Sequence, residues 1–281
     1  MRADLEALKS WVGRSVTASE TVTAPPVARL AATLGMPAPA SGPGDPLPPG
    51  WHVLYFLPVY GPDKMREDGS PAGGGVSPPV PLPRYRLGLD ASEFPGTLRI
   101  GDELQRTTRI ADLSVGETAG EPMVTMIQRS EIEGPRGVAV REEREFIYFG
   151  ERAPALAPMP ALPAAVWRRV VTPNPVLLFR YSALRFNSHR VHYDRDYAVK
   201  KEGLPGLIVH STLVWQLLLE LCREALPERR IVAFGPRTRH PLYDTGPFTL
   251  CGAPEGQDRA LLWALDAAGS VAMTAEAGLS V

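Results

Sequence analysis

Cysteine is nearly absent: the 281-residue chain has two, Cys222 and Cys251. Two thiols make no disulfide framework, and they read as ordinary buried thiols of a reducing cytosol. An excess of charge of one sign is missing too. Thirty Lys and Arg stand against 31 Asp and Glu, for a net charge of −1. A nucleic-acid or anionic-membrane binder would carry a basic excess or a basic stripe. No apolar run reaches the roughly 18 residues of a membrane helix. The opening Met1-Arg2-Ala3-Asp4-Leu5-Glu6 carries acids and no apolar stretch, so no secretory leader is expected. Together these absences predict a cytoplasmic protein with no nucleic-acid or membrane partner.

Proline, by contrast, is abundant: 30 residues, 16 of them within 25–95 and six more within 154–175. With 26 glycines added, the total stays below the ~25–30% of low-complexity chains. An apolar content of 44% supplies material for packed cores. The stretch from Ala153 to Pro163 has neither charge nor periodicity and predicts a stiff, extended connector. The expected division is an N-terminal unit at 1–152, a Pro/Ala-rich linker at 153–165 and a C-terminal unit at 166–281.

In the first unit, Leu5, Leu8, Trp11 and Val12 share one side of a short helix. Residues 26–34 predict a second helix, ended by Gly35 and Pro37. The apolar run 51–57 suits a helix or a strand, and 61–84 reads as loop. Alternating patterns then predict strands at 97–100, 105–113, 123–132 and 138–148. The second unit repeats the order. A strand is expected at 175–181, a polar segment at 182–205 and one long apolar helix at 206–224. Strands are then expected at 230–237, 246–251, 260–264 and 271–277. The repeated order suggests a duplicated α+β unit.

Chemistry concentrates in the polar segment, where His189 and His192 sit among Asn187, Asp194, Asp196 and several arginines. A metal site could be drawn from His189, His192 and Asp194, but no fourth ligand is visible and no metal is expected. A solvated loop with hydrogen-bonded histidines is the plainest reading. The third is acid/base work, since a histidine exchanges a proton near its ordinary pKa of ~6.5. An amide such as Asn187 holds a water or a substrate oxygen without titrating. The opening of the long helix, Leu207-Ile208-Val209-His210-Ser211, offers unpaired backbone N–H groups at a positive dipole end. Aimed at a thioester carbonyl, they would stabilise an enolate.

These residues resemble a known pattern. Tyr181, Leu184, Phe186-Asn187-Ser188-His189-Arg190-Val191-His192, Asp194, Tyr197 and Ala198 are similar to the motif of the MaoC-like hot-dog hydratases and dehydratases, and 207–211 to their helix opening. The branch of mesaconyl-C4-CoA hydratases, itaconyl-CoA hydratases and type 2 hydroxyacyl-thioester dehydratases is closest. Trp11-Val12-Gly13-Arg14, 48–52, 79–83 and 98–102 look like the N-terminal half of that branch.

The resemblance implies an α+β double hot-dog: two units side by side, each an antiparallel sheet wrapped around a central helix. It implies hydration of an α,β-unsaturated acyl-CoA, with mesaconyl-C4-CoA or itaconyl-CoA going to citramalyl-CoA. A 3-hydroxyacyl-thioester dehydratase of fatty-acid synthesis and a non-catalytic acyl-CoA-binding subunit are the alternatives. His192 matches the family's base, Asn187 stands where the family has a catalytic Asp, and Ser211 stands where it has Gly. Asp194 is expected to tether the loop. Arg185, Arg190, His189 and His210 are the expected substrate-binding residues, an arginine clamping an acyl carboxylate. No cofactor beyond the CoA of the substrate is expected, and a homodimer of such chains is one assembly the pattern allows. The first unit offers only His52, so one active site per chain is expected.

Overall fold

The structure, a computed structural model, describes residues 2–71, 75–156, 158, 159 and 161–280. Among these residues ten strands form one sheet, antiparallel at every pairing. They are β1 (Ser15–Thr21), β2 (Arg84–Glu93), β3 (Glu103–Thr118), β4 (Glu121–Gly134) and β5 (Gly137–Phe149), then β6 (Trp167–Val171), β7 (Arg230–Thr238), β8 (Phe248–Glu255), β9 (Arg259–Leu265) and β10 (Val271–Ser280). Their order is β1-β3-β4-β5-β2-β7-β10-β9-β8-β6. Outward from the β2–β7 seam, the two halves repeat one topology. The halves meet through pairs such as Ser92 opposite Phe234. This is the double hot-dog arrangement, with a duplication visible in strand order.

Among the described residues five α-helices accompany the sheet: α1 (Arg2–Ala7), α2 (Ala24–Leu34), α3 (Pro175–Leu184), α4 (Arg195–Lys200) and α5 (Ser211–Ala225). Helix α2 carries Pro25 and Pro26 in its first turn, where their missing N–H groups cost nothing. It ends on Gly35 in the left-handed conformation (φ 69°). Helix α5 lies against β6–β10, and Leu213 through Cys222 are all buried. The central helix therefore exists at full length in the second half. Its place in the first half is taken by a single 3-10 turn, Trp51–Leu54, packed onto α5. Gly50 makes that contact: at φ 86°, a Cβ there would lie 2.2 Å from Leu219 and 2.9 Å from Trp215. Trp51 Nε1 donates to the buried Glu220 of α5 (2.8 Å), so one core spans both halves.

Several expectations change. Residues 175–181 are helical: Asn174 Oδ1 accepts from the Leu177 N–H (3.0 Å) and Pro175 opens the first turn. A short apolar run cannot by itself separate strand from helix, and the Asn-Pro cap decides it. The long helix starts at Ser211, since 206–210 forms a bridge with the segment after β7. Residues 97–100 make a bridge and a turn instead of a strand. Strands β1, β2 and β6 escaped the pattern, β1 because all seven of its residues are exposed. Cys222 and Cys251 are buried free thiols, as expected. Among the described residues no helix is long and apolar enough to cross a membrane.

Candidate active site

Helix α3, the loop after it and the start of α5 converge on a cavity of about 520 Å³. The loop turns sharply at Phe186, a non-glycine residue at φ 48°. Asn187 then returns its N–H to the Ser182 carbonyl (2.8 Å), and its Oδ1 accepts from the His189 N–H (3.0 Å). That leaves the amide NH₂ of Asn187 as a donor. Asn187, His189, His192, His210, Ser211 and Arg185 all line the cavity.

The three imidazoles form a cluster. His192 stacks on His210 with centroids 3.7 Å apart and planes 18° apart, while His189 meets His192 edge-on at 5.5 Å. His192 Nδ1 donates to the Ile208 carbonyl (2.9 Å), which fixes the tautomer and leaves Nε2 as the unprotonated nitrogen. Burial pushes its pKa down to about 4, with the His189 charge adding to the effect against the Ile208 bond. His210 is pushed down to about 2, by burial first and then by His192, Arg185 and His189. Its Nε2 lies 2.8 Å from Ser182 Oγ. At neutral pH both are therefore neutral, and His192 Nε2 is free to accept a proton.

Ser211 and Thr212 are the first residues of α5, and both face the cavity. Leu213 and Val214 already return their N–H groups to His210. The N–H groups one and two positions earlier have no carbonyl a turn back to receive them.

Arg190 is not part of this wall. Its guanidinium, expected at the substrate, grips Asp194 (2.9 Å) and lies over the Tyr197 ring (4.0 Å). Asp194 in turn caps α4 by accepting from the Tyr197 N–H (3.0 Å). A carboxylate so engaged is a loop tether, and the His189, His192 and Asp194 metal set does not assemble. Among the described residues no group of three or more His, Cys, Asp and Glu could hold a metal.

The first half contributes part of the cavity wall through a segment that the sequence marks only as loop. Residues 58–71 cross over the loop after α3, and Tyr60, Met65, Gly69 and Ser70 join the cavity wall together with Tyr85 of β2. Arg190 N–H donates to the Asp68 carbonyl (2.8 Å), Ser188 Oγ to the Gly69 carbonyl (2.8 Å), and Asp68 Oδ2 lies 3.4 Å from His189 Nε2. Gly69, at φ 77°, is obligatory, since a Cβ there would lie 1.9 Å from the Ser188 carbonyl oxygen. The Asp68-Gly69 turn was legible; its contact with a loop more than a hundred residues later was not.

A family model described as hydroxyacyl-thioester dehydratase type 2 matches residues 50–244, which include every residue of this cluster. The chain belongs to that family. Among curated relatives of this family member, the mesaconyl-C(4)-CoA hydratase of Chloroflexus aurantiacus is 38% identical over 269 residues, covering 95% of each chain. The mitochondrial hydroxyacyl-thioester dehydratase type 2 of Schizosaccharomyces pombe is 25% identical, covering 82% of this chain and 87% of that one. A solved MaoC-like dehydratase from Phytophthora capsici shares the fold with a TM-score of 0.64 at 15% identity, each chain covered to 97%. A Mycobacterium tuberculosis protein described as a double hot-dog matches at 0.58 and 14% identity, each chain covered to 98%. The family is one of thioester hydratases and dehydratases, and the chain is an enzyme of that class.

Proposed function

We propose that the chain adds water across the double bond of an α,β-unsaturated acyl-CoA, with mesaconyl-C4-CoA as its substrate and citramalyl-CoA as product. The observation that carries this reading is the pairing of a neutral, tautomer-fixed His192 with the open N–H groups of α5 in one cavity. The full-length likeness to a mesaconyl-C(4)-CoA hydratase supports the choice of acyl group.

In this mechanism the thioester carbonyl oxygen sits at the Ser211 N–H. Water lies between His192 Nε2 and the Asn187 amide, which donates to its oxygen. His192 removes a proton as the water oxygen bonds to the β-carbon, and the double-bond electrons move onto the thioester as an enolate. The Ser211 N–H and the dipole of α5 stabilise that charge. The imidazolium of His192 then returns its proton to the α-carbon. One residue thus serves as base and acid, because Asn187 cannot titrate where the family has Asp. The sequence of steps consumes one water and uses no cofactor beyond the CoA of the substrate. The reverse direction is dehydration of a 3-hydroxyacyl thioester by the same groups.

Loss of enoyl-thioester absorbance with mesaconyl-C4-, itaconyl- and crotonyl-CoA, compared side by side, tests the reading. Mesaconyl-C4-CoA is expected to give the highest kcat/KM. Preference for linear chains or for acyl carrier protein would move the enzyme to fatty-acid synthesis. Binding without turnover across the panel would make it an acyl-CoA-binding subunit.

A further inference from the structure

Among the described residues Arg185 is a cation with no anion bonded to it. It closes the C-terminus of α3, lines the catalytic cavity and is half-buried. Its Nη1 is fully buried with no hydrogen-bond partner among the described residues. Buried charges in proteins are ordinarily paired, because desolvation without compensation is costly. Two carboxylates lie within electrostatic reach of Arg185, Asp90 of β2 and Glu142 of β5. Both are already taken. Arg144 binds Asp90 through Nε (2.9 Å) and Glu142 through Nη2 (2.8 Å), and Glu142 also meets His52 Nε2 (3.2 Å). Arg106 and Arg144, further cations of the same seam, repel Arg185 and offer it nothing.

From this arrangement we infer that the anion completing Arg185 is a free carboxylate carried on the acyl group of the substrate, so that Arg185 sets specificity for carboxylated acyl thioesters over plain ones. The inference rests on the hydratase reading for its substrate and sharpens it to one side chain. In mesaconyl-C4-CoA the carboxylate is attached to the β-carbon, the atom that receives the water oxygen. A guanidinium there does two things. It binds the group bidentately, and it cancels the repulsion between that carboxylate and the lone pair of the incoming oxygen. Arg185 lies two residues before Asn187, the residue that holds the water in the proposed mechanism. The cation and the water site are thus presented by one turn of chain.

The first half supports this specificity through Arg144 of β5. By engaging Asp90 and Glu142, Arg144 keeps Arg185 free for a ligand. An unengaged carboxylate at either position would fill the site from within.

Two readouts on the full chain test the inference. The first is turnover: the ratio of kcat/KM for mesaconyl-C4-CoA to that for crotonyl-CoA, in the parent and in Arg185→Gln. The ratio is expected to fall about 100-fold, the loss of a charge-assisted bidentate pair. The second is calorimetric binding of succinyl-CoA against butyryl-CoA, four-carbon acyl groups that differ by a carboxylate in place of a methyl and need no hydration. The parent is expected to prefer succinyl-CoA at least tenfold, and Arg185→Gln to lose that preference. If the parent turns over neither unsaturated thioester but shows the binding preference, the hydratase reading falls and the carboxylate site stands. Equal binding of the two saturated thioesters by the parent overturns the inference even where turnover is intact. A ratio unchanged in Arg185→Gln overturns it as well. Should Arg185→Gln fail to fold, Arg185→Lys carries the comparison: it keeps the charge, loses the fork, and is expected to retain part of the preference.

Discussion

In the first half, Leu47 N–H donates to the Leu98 carbonyl and Pro46 bridges Arg99; in the second, Val209 N–H donates to Leu242 and Ile208 bridges Tyr243. Both bonds are 2.8 Å long. One residue further back, Asp45 and Leu207 both accept at 2.9 Å, from Ile100 and Asp244 respectively. The two segments are thus the same structural element in two copies, placed at the same point of each half-sheet. Their continuations differ. Pro48-Pro49 stand where His210-Ser211 stand, and they lead into a four-residue 3-10 turn where Ser211 opens a fifteen-residue helix. Proline has no N–H to give. The first copy therefore offers no donor at the position that would hold an enolate oxygen, although a cavity of about 380 Å³, lined by Pro46, Leu47, Pro49 and His52, persists beside it. In the proposed mechanism a duplicated scaffold is divided into a reacting half and a supporting half by the identity of two residues.

The support is specific. The first half supplies the strap over the loop after α3, the carboxylates held by Arg144 and the turn that packs on α5. Its one histidine is spent structurally, buried at 4% exposure against Glu142.

The sharpest way to break the contrast is to exchange the histidines' fates. His192→Ala is expected to lower kcat/KM by about 10²–10⁴-fold, the range of a lost acid/base group. His52→Gln is expected to leave kcat unchanged and to cost about 1–3 kcal/mol in urea unfolding, since it weakens a buried bond. A large kcat loss from His52→Gln would mean that the halves share the chemistry. Gly69→Ala probes the strap: displacing it by an ångström is expected to cost about 100-fold in kcat/KM. Retention of full activity there would make the strap a cover and nothing more.

The pH profile gives the mildest separation. Free-enzyme kcat/KM is expected to stay flat from neutrality downward and to fall through about pH 4, as His192 gains its proton. A half-point near the ordinary value of about 6.5 would place the base in water instead of this cluster. Stability has the same sign. His192 and His210 have folded pKa values below the unfolded one, so their contribution is complete above about 6.5. It is lost progressively as pH falls toward about 4 and below. Urea midpoints measured from neutrality down to that range are expected to decline accordingly.

Much of this was legible in the chain. The motif from Tyr181 to Ala198 named the family, the strands β3–β5 showed their alternation, and β7–β10 were expected as strands close to where they lie. The stack of His192 on His210 was half legible, since both were singled out while their contact needs the α5 entry to fold back over the loop. Arg190 and Arg185 looked alike in sequence. Only tertiary placement shows that the first grips Asp194 and the second faces the cavity. The strap at 58–71 stayed hidden because proline and glycine mark a loop without saying what it lies on. Strand β1 stayed hidden because none of its side chains is buried, and period-2 alternation has a signal only where one face meets a core.

The claim that a missing N–H silences the first copy can be moved to the second. Ser211→Pro carries the first half's residue into the reacting half at the first position of α5, where a helix tolerates proline. Ser211→Gly keeps the N–H and removes only the hydroxymethyl group. With matched folding by circular dichroism, kcat for mesaconyl-C4-CoA hydration is expected to fall about 10²–10³-fold in Ser211→Pro, as for a lost oxyanion donor, and to change little in Ser211→Gly. Equal activity of the two variants would contradict the account.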